Sequence, residues 1–71
     1  MSRVAIEKAV ALAGSQAELA RRIGVKQAHV WNWLNRDAKV PADRVLAIEA
    51  ATGVSRHDLR PDIYPREEAA A

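Results

Sequence analysis

The sequence predicts an all-α fold, a compact bundle of about five short helices, and three observations carry that prediction. Fifteen of the 71 residues are Ala, Phe is absent, and Gly and Pro number three each. Ala is the best helix former and lets helices approach closely. Strands would instead draw on Val, Ile, Thr and aromatic residues in alternating runs. The apolar residues recur at spacings of three and four, the helical period. At this length the expectation is one small domain over residues 1–65, followed by a disordered tail at 66–71. There is no Cys, which excludes disulfides and thiolate zinc sites. His29 and His57 alone cannot close a four-ligand metal site, so neither metal nor cofactor is expected. The apolar run from Ala9 to Ala13 is too short for a membrane span or a secretory signal, and a cytoplasmic location is expected.

The first helix is expected from Ser2, as N-cap, to about Ala13, with Ile6, Ala9, Val10 and Ala13 lining one face. Gly14 ends it. Ser15-Gln16-Ala17-Glu18 reads as a capping box, the Ser hydroxyl taking the Glu18 amide and the Glu18 carboxylate reaching back to the Ser15 amide. A second helix therefore begins at Gln16, buries Leu19, Ala20 and Ile23, and stops at Gly24 in a left-handed conformation. A third is expected from Gln27 to about Asn35. It groups Val30, Trp33 and Leu34 on its core side and Ala28 and Asn32 on the other. Trp31 and Trp33 lie about 200° apart on a helix, so Trp31 should be the exposed one. Val40-Pro41-Ala42-Asp43 looks like a helix start with Pro41 in the first turn. That fourth helix should run to about Ala51 and close at Gly53. Its apolar residues wrap more than one face, as if buried on two sides. Ser55 then caps one last turn ending at Arg60, before Pro61.

Net charge is only +2, but its distribution is uneven. Residues 14–36 carry +3, from Arg21, Arg22, Lys26 and Arg36 against Glu18, while 37–60 are neutral and 61–71 carry −2. A positive excess confined to one segment suits a phosphate-facing surface, although a solvated face has the same look.

The informative stretch is QAELARRIGVKQAHVWNWL, Gln16 to Leu34. Two short helices joined by a Gly-containing turn, with small Ala20 where they cross, make a helix-turn-helix. Leu19, Ala20, Ile23, Gly24, Val25, Val30, Trp33 and Leu34 form its core and turn. With that wedge buried, Gln27, Ala28, Trp31 and Asn32 face outward, where side chains can reach base edges in a major groove. Arg22, Lys26, Arg36 and Lys39 are the candidate charged phosphate contacts. Arg21 is a weaker candidate, since it can pair with Glu18 three residues earlier.

This stretch resembles, without a gap, the helix-turn-helix of the lambda-type Cro and repressor proteins. Gln16 matches the motif's leading Gln and Gln27 its principal base-reading Gln. The continuation to Pro65 looks like the small Cro-like regulators grouped as YdaS-type, so the resemblance covers roughly residues 3–65. It implies a lambda repressor-like fold and a prophage-linked repressor or an antitoxin, with Gln16 on phosphate and Gln27, Ala28, Trp31 and Asn32 at base-facing positions. Lys26 stands where Ser or Thr often caps the third helix, and Trp31 replaces a smaller or polar residue. The resemblance therefore implies no particular base preference.

The expected function is sequence-specific binding of double-stranded DNA by a transcriptional regulator. So few contacts per chain predict a homodimer on a near-palindromic operator. The second apolar side of the fourth helix, with Leu59, Ile63 and Tyr64, is the candidate dimer contact; packing within one chain is the competing use of the same residues. The alternative is an antitoxin that masks a toxin protein and binds DNA for autoregulation. An enzyme is not expected. Ser55, His57 and Asp58 fall within one turn, which cannot arrange them as nucleophile, base and orienter.

Overall fold

The computed structural model describes residues 2–65. The expectation of a disordered tail at 66–71 lies outside the described residues. The elements are α1 (Ser2–Ala13), α2 (Gln16–Ile23), α3 (Gln27–Asn32), a π-helical turn continuing α3 over Trp33–Asp37, a 3-10 turn over Ala42–Arg44 leading into α4 (Val45–Thr52), and α5 (Arg56–Leu59). No strand occurs among the described residues.

The buried side chains form one cluster. Helix α1 gives it Ile6, Ala9 and Ala13, and Ala5 joins them; Val10, expected on the same face, is half-buried. Helix α2 adds Leu19, Ala20 and Ile23, and α3 with its continuation adds Val30, Trp33 and Leu34. Val40, Val45, Ile48, Val54 and Leu59 close the other end. Each fully buried Ile, Leu or Val contributes about 1.5–3 kcal/mol over an exposed one. This cluster sets the tilt of α2 and α3, and so it positions the surface discussed below.

Caps explain most boundaries. Ser15 Oγ accepts the Glu18 amide at 3.0 Å, as expected for α2. The second half of the box is not made, because the Glu18 carboxylate turns instead to Arg21 and Arg22. Two guanidinium groups outbid one neutral amide for a carboxylate. Gly24 takes φ 77° and gives its N–H to the Ala20 carbonyl, a left-handed stop that a side chain would oppose. Gly53, at φ 84°, does the same for α4 through the Glu49 carbonyl. Ser55 Oγ caps α5 by accepting the His57 amide at 3.0 Å.

Three boundaries differ from the sequence expectation. Ser2 is the first residue of α1 rather than the cap ahead of it. The third helix does not stop at Asn35 but widens into the π turn to Asp37, followed by Ala38 at φ 51°. Trp33 and Leu34, at the start of the π turn, are both buried, and the next buried residue is Val40, beyond its end. Pro41 precedes the fourth helix instead of occupying its first turn. Its extended ψ of 144° breaks the chain there, and the 3-10 turn, bonded from the Arg44 amide to the Pro41 carbonyl at 3.0 Å, carries the chain into Val45.

Helix α4 is buried along Val45 and Ile48, whereas Leu46 is 47% exposed and Ala50 is also exposed. Its second apolar side is therefore uncovered in the single chain. Leu59, by contrast, is fully buried in the core, which corrects the expectation that it meets a second subunit. Tyr64 packs partly against the core, with its ring 5.7 Å from the Arg56 guanidinium carbon and its carbonyl 2.8 Å from His57 Nδ1. Of the three candidates only Ile63 is exposed.

A clasp joins the segment after α5 to the exit of the π turn. Arg60 pairs with Asp62 through two bonds of 2.9 and 2.7 Å and gives a third, at 2.7 Å, to the Val40 carbonyl. The Arg60 guanidinium draws the Asp62 carboxyl from 3.8 down to about 2. A carboxylate whose folded value is depressed stabilises the fold above its unfolded value, and this contribution is lost as pH falls toward the folded one. Acid titration of the wild type between pH 4 and pH 2 should therefore show a loss of stability that Asp62→Asn lacks. Thermal melts across that range measure it; parallel curves for the two proteins would contradict the clasp.

Candidate nucleic-acid interface

The turn Gly24-Val25-Lys26 joins α2 to α3, and Ala20, 3% exposed, lies beneath the crossing. Val25, expected in the motif core, is half-buried and packs against it. Val30 is completely buried, and Trp33 and Leu34 follow at 5% and 8%. The helical period then forces the other side outward. Gln27 and Ala28 are exposed, Trp31 is 50% exposed, and Asn32 is half-buried at the edge of that face. Half of the Trp31 surface is thus open to solvent, beside two amides and a methyl group. That combination can offer both hydrogen bonds and apolar contact to base edges.

The N-terminus of α3 is capped in an unusual way. Lys26 occupies the cap, but an ammonium has only donors and cannot accept an amide. His29 makes the reciprocal bond of a capping box, its Nδ1 accepting the Lys26 amide at 3.3 Å. Sequence reading missed this role, although a His three residues after a donor-only cap was a readable sign. Lys26→Ser restores an acceptor and should stabilise the fold by about 1 kcal/mol. It should also remove about one phosphate contact from the salt dependence of DNA binding. Thermal melting and a duplex titration at several salt concentrations measure the two halves. A variant that gains both stability and affinity would contradict the role of Lys26.

The expected phosphate set divides by environment. Lys26 and Arg36 are exposed and form no ion pair among the described residues. Gln16, in the first turn of α2, is half-buried. Lys39 is exposed beyond the π turn, near enough to Asp62 to help hold that carboxyl down, and shares a shallow groove with Asp37 and Arg60. Arg22 is engaged by Glu18, its Nε 3.3 Å from the carboxylate. Arg21 binds the same carboxylate, as expected from the spacing. These hydrogen bonds, with Arg21 foremost, hold the Glu18 carboxyl below the usual carboxylate range.

Two crossed helices with a left-handed glycine between them and a polar outer face on the second define the chain as a helix-turn-helix protein. Residues 6–68 match the model of the family described as Bacterial toxin YdaS, and the chain belongs to that family. It is 41% identical over 59 residues to an Escherichia coli (strain K12) protein named "Putative transcriptional regulator YdaS". The match takes in 80% of this chain and 60% of that protein, so the chain spans well under two thirds of its relative's length. No solved structure matches the chain.

Proposed function

We propose that the chain is a sequence-specific DNA-binding transcriptional regulator that lays α3 in the major groove of double-stranded DNA. One observation carries the reading. The core side of α3 is sealed by Val30, Trp33 and Leu34, while Gln27, Ala28, Trp31 and Asn32 form an uncovered face of the types that read bases. The name of the Escherichia coli relative supports a regulatory role. Lys26, Arg36, Lys39, Gln16 and a released Arg22 position the helix on the phosphates. In this reading the chain is a cytoplasmic repressor, and so few contacts per chain favour a homodimer. The uncovered side of α4 around Leu46, with Ile63, is its remaining apolar contact surface.

Selection of binding sites from random duplex DNA tests the proposal. The expected result is an enriched, near-palindromic site with half-sites about 34 Å apart, whose affinity falls steeply with salt. Failure to enrich any sequence, or affinity indifferent to salt, would sink it.

The family's description mentions a toxin, and the second reading makes the chain an antitoxin that binds and masks a toxin protein and uses its DNA contacts for autoregulation. Co-expression with the neighbouring reading frame discriminates the two. A protein that co-purifies in fixed stoichiometry supports the pair, and its absence leaves the plain regulator.

A further inference from the structure

Helix α2 carries two arginines on the element that the proposed function brings to the DNA backbone, yet neither is free. Both are drawn to one carboxylate. Glu18 accepts from Arg21 through Nε, at 3.3 Å, and through its terminal nitrogen, and from Arg22 through Nε, at 3.3 Å. All three side chains remain partly open to solvent, at 72%, 42% and 32% for Arg21, Arg22 and Glu18. The pairs are thus breakable; exposed pairs of this kind are weak and screened by salt. The Glu18 backbone is also fixed independently of the arginines, because its amide is the one that Ser15 Oγ caps. Glu18 lies in the first turn of α2, about one turn before the arginines and two residues after Gln16. In that position it both occupies the guanidinium groups and repels an approaching phosphate.

From this geometry, and resting on the DNA-binding reading above, we propose that Glu18 is a specificity-determining residue. It keeps Arg21 and Arg22 from DNA phosphate until Gln27 and Asn32 seat α3 against a matching site. On unmatched duplex the protein stands off the backbone and the arginines stay on the carboxylate. On a matched duplex the base contacts draw α2 close enough for a phosphate to displace Glu18 from Arg22. The exchange adds phosphate contacts only where the bases are right, and so converts a sequence-blind attraction into part of the discrimination.

Glu18→Gln tests this, since the substitution keeps the side-chain volume and the amide bonded to Ser15 while removing the charge. Affinity is measured against salt for the selected duplex and for a scrambled duplex. The variant should gain about tenfold on scrambled DNA at low salt and only about twofold on the selected site, narrowing the ratio between them. The slope of log affinity against log salt on scrambled DNA should steepen by about 0.9, one additional phosphate. Equal gains on both duplexes would overturn the proposal, as would no gain on either. Arg22→Gln gives an independent reading that does not depend on folding of the first variant. It should weaken the selected site several-fold while leaving scrambled binding unchanged; equal loss on both would again overturn the proposal. If the wild type shows no preference for any duplex, it is the DNA-binding reading itself that fails.

Discussion

Trp33→Ala lowers the stability of the fold by about 3 to 5 kcal/mol. The indole is 5% exposed, packs in the single core cluster, and marks the junction between α3 and the π turn. Its removal leaves a void bounded by residues that are themselves fixed by the crossing of α2 and α3. A chain of this length is expected to have a total stability of only about 4 to 11 kcal/mol, at 0.05 to 0.15 kcal/mol per residue. The variant should therefore lose a large share of that total. Trp31→Ala is the matched control. Half of that residue faces solvent, and its truncation should move the midpoint by no more than about 0.5 kcal/mol. Urea titrations followed by far-ultraviolet circular dichroism separate the two. Equal effects would mean that the division of the two tryptophans between core and surface is wrong.

Gln27→Ala and Asn32→Ala should each lose about 1–3 kcal/mol of discrimination at particular base pairs while leaving the fold intact. The loss should appear as relaxed preference at one or two positions of the selected site, Gln27 and Asn32 affecting different ones. Lys26→Ala, in contrast, should weaken all duplexes alike, because a phosphate contact carries no sequence information. Selection repeated with each variant measures this. Unchanged selectivity in both amide variants would remove the base-reading assignment and leave α3 a positioning element only. Asn32 is half-buried, so its amide has less freedom than that of Gln27 and should show the narrower base preference.

The sequence made the core side of each helix legible because helical periodicity and small-residue crossings are local properties. Leu19, Ala20, Ile23, Val30, Trp33 and Leu34 are buried as their spacing demanded, and the glycine stop at position 24 followed from its neighbours. The exposed side of α3 was legible for the same reason. What escaped depends on contacts between distant segments or on competition among side chains. The Arg60 clasp reaches back twenty residues to Val40, and no local pattern announces it. Leu59 could have served the core or a partner equally well until the packing of α5 against α1 and α4 was known. Glu18 had three candidates for its carboxylate, the Ser15 amide and two arginines, and only three-dimensional geometry settles such a contest. Which bases Gln27 and Asn32 would meet under the proposed function is a property of the DNA partner and is not written in the chain.

The widened turn at Trp33–Asp37 has a bearing on how such a protein can diverge. A π turn closes its hydrogen bonds over five residues instead of four, so it stores one residue of slack between α3 and the scaffold behind it. Loss of a single residue there can be absorbed by tightening the coil to ordinary α pitch, with Val30 and Val40 still anchored at either end. Helix α3 can thus be exchanged or re-angled without rebuilding its support, because the tolerance for change is lodged at their joint.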